Sequence, residues 1–435
     1  MNRDNKKMDM LRLAKKLFPI CRSITGNGQL ETLETIKMQI PLNILEYETG
    51  EEYYDWKIPL EWNINGAYIQ TESGEKIVDF KNSNLHVAGY SVPYEGTISF
   101  EELKKHIHFR EDLPEAIPYV TYYHKSDWAF CMSKNQFDKL RRERYTVKIE
   151  SSLTNGYLRI GEYLKKGKSK KEIWFSTYTC HPSLCNDNLS GIIAGVELVK
   201  YLESIGETKY SYRVLFLPET IGPIVYLNEH QNIIDNILGG YVLTHCGDKA
   251  PLTYKKSIAE NHDIDNMLLR SLERLGKQYS VQPYLPLGSD ERQYSSPRFN
   301  LAFGSLMRSS HTPKDISNPF QPDWKEYHTS LDNLDLLSIE SLTEVIEVYI
   351  ECIRNHELNA IYKGLYYGEP MLSKHGLYVD PTDDLETAKA VFYFQGFSNG
   401  TTSLWDIHDK TKVDINLLAE VASKFEACEL VEIVD

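Results

Sequence analysis

A chain of 435 residues with 41% hydrophobic content is long enough for two or three domains with substantial cores. Its net charge of −14 argues against nucleic acid as a main partner, and no apolar run approaches the length of a membrane span, so no membrane partner is expected. Seven scattered cysteines without a CxxC pair, and a polar stretch over 1–7 with no apolar segment behind it, fit a reduced, cytoplasmic setting.

In chain order, the spacing of Leu11, Leu13, Ala14, Leu17 and Phe18 predicts a helix over 8–18. A second helix is predicted over 29–39, after a turn from Thr25 to Gly28. From 49 to 118 the texture changes to short β-like runs, such as 67–70 and 76–80, separated by turn residues and rich in aromatics. The α/β texture resumes at 119, so this β-rich piece reads as an insertion into a domain made of 1–48 and 119–358. Strand-like runs at Glu172–Tyr178, 212–218 and 239–245 then alternate with helical spacing over 190–202, 263–275 and 338–355. Such alternation predicts an α/β fold, a mixed sheet flanked by helices. A third unit, 359–435, follows a helix, turn, helix, strand order that suggests a winged-helix shape. From Ile361 onward it holds six lysines, no arginine and thirteen acidic residues, which favours protein contacts or a homo-oligomer over DNA.

Three stretches carry the chemistry. His181 and Asp187 lie in the loop between the apolar run Glu172–Tyr178 and the helix predicted from Ser190, where small residues Gly191, Ala194 and Gly195 allow close packing on a sheet. Loops at the carboxyl ends of strands are where open α/β sheets place their sites. An imidazole and a carboxylate six positions apart there can converge on one cation such as zinc. The structural alternative is that His181 caps the strand and Asp187 the helix. Glu219, at the end of the next strand, can act on water and then protonate a leaving amine, or can simply favour a helix start. His328 follows a loop rich in Pro, Ser and Asn, with Asp332 four residues on as a hydrogen-bond partner for a ligating imidazole. Asp290 and Glu291 in the Gly288 to Gln293 loop, together with Arg308, are placed on the substrate side, where an acidic loop can hold a free ammonium group.

Together these stretches resemble the di-zinc aminopeptidase superfamily, the phosphorylase/hydrolase-like fold. The resemblance implies His181, Asp187 and His328 as metal ligands, with Asp187 at the bridging position, and Glu219 as general base. More narrowly, Asp55-Trp56, Pro59 with Glu61-Trp62, Cys180-His181-Pro182 and Gly368-Glu369-Pro370 resemble a bacterial family of aminopeptidase-like proteins. In that family a protease-associated-like domain interrupts the peptidase domain and a winged-helix-like domain follows it. The resemblance therefore assigns 1–48 and 119–358 to an aminopeptidase-like domain, 49–118 to the insertion and 359–435 to the winged-helix-like domain. Two positions depart from the superfamily pattern: a ligating Glu is Thr220 and a ligating Asp is Thr244. One zinc rather than two is therefore expected. Cys180, Cys185, His245 and Cys246 are nearby substitutes, and Ser183 stands where the superfamily often has an Asp.

The function expected from these residues is a zinc-dependent hydrolase that cleaves an amide bond beside a free amino group in a peptide or small amide. Two alternatives stay open. One is a catalytically degenerate binding or regulatory protein. The other is a single-zinc amide-transfer or cyclisation enzyme connected, through the resemblance, to polysaccharide biosynthesis.

Overall fold

The computed structural model describes residues 3–308 and 324–434. Part of the Pro-, Ser- and Asn-rich loop before His328, residues 309–323, lies outside them. The chain divides into two compact units, Met1–Ile350 and Glu351–Asp435.

In the first unit the runs Glu172–Tyr178 and Ser211–Leu217 are buried at every position. Such strands are stable only with both faces covered, which is why they read as continuous apolar runs. They form the middle of an eight-stranded sheet in the order 43–48, 157–165, 211–217, 172–178, 237–242, 303–307, 252–255, 279–282. Glu172–Tyr178 pairs in parallel with both neighbours, whereas Tyr157–Lys165 runs antiparallel to both of its own. The sheet is mixed, as expected. Helices cover it, among them Arg3–Leu17, Asn27–Lys37, Ser190–Ser204 and Asp263–Arg274. Gly191 lets the Ser190–Ser204 helix start hard against the sheet, because a Cβ there would lie 2.2 Å from the Leu243 carbonyl oxygen.

A second sheet, fully antiparallel, has the order 76–79, 61–71, 144–154, 94–99. Ile69, Val78, Phe130, Tyr145 and Val147 form its separate core. Its longest pairing joins Glu61–Thr71 to Arg144–Thr154, so the sheet takes in residues beyond the 49–118 span read from the sequence. Strand pairing across such a distance leaves no local signature.

The second unit holds a three-stranded antiparallel sheet of Ile361–Gly364, Asn399–Ser403 and Val431–Val434. The helices Leu385–Phe397, Leu404–Thr411 and Ile415–Ala427 pack with it. Its core centres on Phe394, Trp405, Leu418 and Phe425, all buried. Among the described residues no helix is long and apolar enough to cross a membrane.

Candidate metal and catalytic site

Three parallel strands end on the same edge of the large sheet, and each delivers a side chain there. Glu172–Tyr178 leads into His181 and Asp187, Ser211–Leu217 into Glu219, and Ile237–Val242 into Thr244 and His245. His328 arrives on a separate loop that is sewn to residues 117–119. The Tyr119 N–H donates to the His328 carbonyl at 2.7 Å, and the Ser330 N–H to the Ile117 carbonyl at 2.8 Å. Tyr119 then packs its ring on both His181 and His328, at 5.1 and 5.2 Å between centroids. Arg22, from the N-terminal segment, donates from Nε to the His181 carbonyl at 3.0 Å.

The geometry brings His181, Asp187 and His328 together, with donor atoms within 4.8 Å of one another. Asp187 Oδ2 lies 3.1 Å from His328 Nε2 and 4.0 Å from His181 Nε2. That oxygen is buried and accepts no hydrogen bond from the described residues. Burial alone would lift the Asp187 carboxyl, but the His181, His245 and His328 imidazoles outweigh it and hold the pKa well below the usual range. Burial likewise lowers His181 to about 4, leaving a neutral ring with a lone pair to give. A buried carboxylate oxygen 3.1 Å from one imidazole and 4.0 Å from another calls for either a proton on a ring or a cation between them. Two nitrogen ligands and one carboxylate oxygen suit zinc.

Glu219 sits beside this cluster, its Oε2 3.8 Å from His181 Nε2. Burial first, then the charges of Asp290 and Asp187, raise its pKa well above the ordinary value. Glu219, Cys180, His181 and His328 line a cavity of about 230 Å³, whose other wall is aromatic and includes Trp56 and Tyr123. Cys180, His181 and Glu219 form a second grouping with metal-ligand spacing, sharing the same imidazole.

Asp332 is near the site but does not support an imidazole. Its Oδ1 accepts the N–H groups of Cys185 and Asn186 at 3.1 and 2.6 Å, and its Oδ2 accepts that of Asp187 at 2.8 Å. It therefore holds the ligand loop itself. Burial raises its carboxyl to about 8 against these donors. Ser183 turns away and donates to the Phe18 carbonyl at 3.0 Å, so the Cys180 thiol, 3.4 Å from His181 Nδ1, backs that ring.

None of the three residues expected on the substrate side lines this cavity. Glu291 is buried against Lys255, and Arg308 is tied to Glu344 and to the Ala250 carbonyl at 3.1 Å. Buried charges need such partners, and neither residue lines the cavity. Asp290 is wholly buried and accepts the Thr220 N–H at 2.7 Å. Burial raises it to about 7. It stands behind Glu219 rather than in the cavity. Asp248 and Cys246 are also structural, the first bonded to Asn186 Nδ2 at 3.0 Å and the second to the Thr244 carbonyl at 3.4 Å.

Sequence reasoning missed Tyr178. Its hydroxyl donates to Asp187 Oδ1 at 2.5 Å. Burial, then the Asp187 charge, keep that phenol protonated by raising its pKa well above 10. Its place as the last strand residue before His181 was the available signal.

Similar proteins match this architecture. A Clostridium acetobutylicum protein, provisionally named a polysaccharide biosynthesis protein with aminopeptidase-like domain, is 40% identical over 98% of this chain and 96% of its own. A crystal structure of a protein from C. acetobutylicum, provisionally described as a peptidase, is also 40% identical. It has a TM-score of 0.87 over 99% of this chain and 97% of that one. More distant in sequence is a Bacillus subtilis zinc aminopeptidase, 13% identical with a TM-score of 0.59, covering 81% of this chain and 94% of that one. A Shewanella amazonensis peptidase M28 precursor, 12% identical, has a TM-score of 0.52 over 80% and 96% of the two chains. The last two likenesses show a shared fold. The model of the family described as a domain of unknown function, DUF4910, matches residues 11–359, and the chain belongs to that family.

Proposed function

We propose that this chain is a zinc-dependent, aminopeptidase-like hydrolase acting on an amide bond beside a free amino group. The observation that carries the reading is Asp187 Oδ2, buried and without a hydrogen-bond donor among the described residues, facing two imidazoles that line one cavity with Glu219. His181, Asp187 and His328 would hold the zinc, whose chemistry when bound is to polarise a carbonyl and to acidify water. Glu219 takes the proton of the attacking water and returns it to the departing amine. Burial and the neighbouring Asp290 and Asp187 charges favour a proton on this carboxyl, which suits a group that must hold one between the two steps.

The cavity of about 230 Å³ admits one residue-sized group, so the reading is of an enzyme that works from an end of its substrate or on a small amide. Trp56, from the segment before the antiparallel sheet, contributes to its wall. A protease-associated-like insertion that limits substrate size fits this placement. The provisional name of the 40% identical C. acetobutylicum protein favours an amine or amide carried on a sugar as one class to screen. The acidic 359–435 segment is proposed as a winged-helix-like domain that serves protein contacts.

The experiment is turnover of a panel of aminoacyl and amino-sugar amides by the zinc-loaded chain and by Glu219→Gln. The variant should keep its metal and lose activity by about 10²-fold or more. A Glu219→Gln chain that hydrolyses as fast as wild type would falsify the base assignment.

A further inference from the structure

The two oxygens of Asp187 have different surroundings. Oδ2 faces His328 and His181, as described. Oδ1 accepts the Tyr178 hydroxyl at 2.5 Å and lies 3.5 Å from His245 Nε2. The Tyr178 hydroxyl is also 2.8 Å from Thr244 Oγ1, and that oxygen is 3.1 Å from His245 Nδ1. Asp187 Oδ1, Tyr178, Thr244 and His245 thus close a ring of polar contacts. Every member is buried, with side chains from the ends of two neighbouring strands and from the ligand loop between them.

We infer that this ring stands in place of the second cation of a two-metal centre, so that the chain holds a single ion on the Oδ2 side. Tyr178 and His245 then act as positioning residues for Asp187. The inference rests on the metal-hydrolase reading above and deepens it.

A carboxylate that bridges two cations must offer an oxygen to each. Here the second oxygen already receives a phenol proton at short range and faces an imidazole. A second divalent cation at Oδ1 would also need anionic or strongly basic ligands, because losing its hydration must be offset by charge. The ring supplies Asp187 as its one carboxylate. The side chain from the strand end next to it is the neutral Thr244, and the residue after Glu219 is the neutral Thr220. Arg292 Nη2 donates to Thr220 Oγ1 at 3.2 Å, so the neighbourhood of Thr220 already contains a fixed cation. The clamp also serves the remaining ion. With Oδ1 fixed from behind, Oδ2 is presented in one orientation, which is the service that partners behind a ligand render to metal affinity.

The test uses the full-length chain, stripped with a chelator and reloaded with zinc or cobalt, with metal measured by elemental analysis and titration calorimetry. Wild type should bind one equivalent, lost in His328→Ala. Tyr178→Phe should still bind one equivalent with affinity about 10-fold lower or worse, and its cobalt absorption spectrum should shift. Because Phe keeps the ring and its packing, this variant tests the hydroxyl alone. His245→Gln gives the second reading of the same clamp. Two equivalents in wild type would overturn the inference and leave the hydrolase reading standing. If the second equivalent vanished in Cys180→Ser, it would belong to the Cys180, His181 and Glu219 grouping. Unchanged affinity and spectrum in both ring variants would overturn the positioning role. No metal at all in wild type would instead sink the metal-hydrolase reading on which the inference rests.

Discussion

Asp332 shows how one side chain can decide whether a site exists. Three consecutive backbone N–H groups of the ligand loop end on its carboxylate. An alanine there would take the carboxylate from the Asn186 and Asp187 N–H groups, each costing about 1–3 kcal/mol when unmet, while the Cys185 N–H would keep the Asp332 carbonyl at 3.0 Å. Asp332→Ala is therefore expected to loosen the 185–187 backbone and to lower zinc affinity by about 10- to 100-fold, read by calorimetry. An affinity equal to wild type would show that the loop holds its shape without this carboxylate. His181, Asp187 and Glu219 were legible in the sequence because each follows an apolar run that marks a strand end. The ring of Tyr178, Thr244 and His245 was not legible. Its hydroxyl contact joins residues 66 apart, and that contact depends on the register of two strands, which a single sequence does not fix. The buried partners of Glu291 and Arg308 were not legible either. A charged residue near a motif looks like a substrate contact until its buried partner is seen.

At the scale of elements, the two sheets of the first unit are joined by an ion pair. Arg159, on a strand of the large sheet, donates from Nη1 to Glu61 Oε2 at 3.0 Å, on the long strand of the antiparallel sheet. The Tyr157 N–H and the Asn63 amide reach the same carboxylate at 3.0 and 3.2 Å. Burial would raise the Glu61 carboxyl, yet these donors and the guanidinium bring it below its ordinary 4.5. A depressed folded-state pKa contributes stability that is present above the unfolded value and is lost as pH falls through the folded one. Glu61→Gln should thus cost about 2 kcal/mol at neutral pH. The gap in urea midpoint between wild type and variant should close as the pH is taken below about 4.5. A gap that stayed constant with pH would mean that the pair contributes no ionic stabilisation. The alternation that predicted the large sheet was legible because each strand there carries its own apolar run. The extent of the antiparallel sheet was not, since Arg144–Thr154 is recruited by pairing with a strand that begins at Glu61.

At the scale of the whole chain, charge constrains partners. With −14 overall and an acidic C-terminal unit, the protein should show no binding to duplex DNA in fluorescence anisotropy at low salt up to about 10 μM. Salt-sensitive binding within that range would reverse the assignment of the last unit to protein contacts. Distance along the chain matters as much as charge. Arg22 holds the His181 carbonyl from 159 residues upstream, and Asp332 holds the Cys185 N–H from 147 residues downstream. A chain emerging from the ribosome therefore cannot complete this metal seat until residues past 330 have been made and have folded back, at the entropic cost of closing long loops. On the proposed reading, a chain lacking either Arg22 or Asp332 would lack the complete seat, so zinc binding by the full chain would report that both distant segments have reached the site loop.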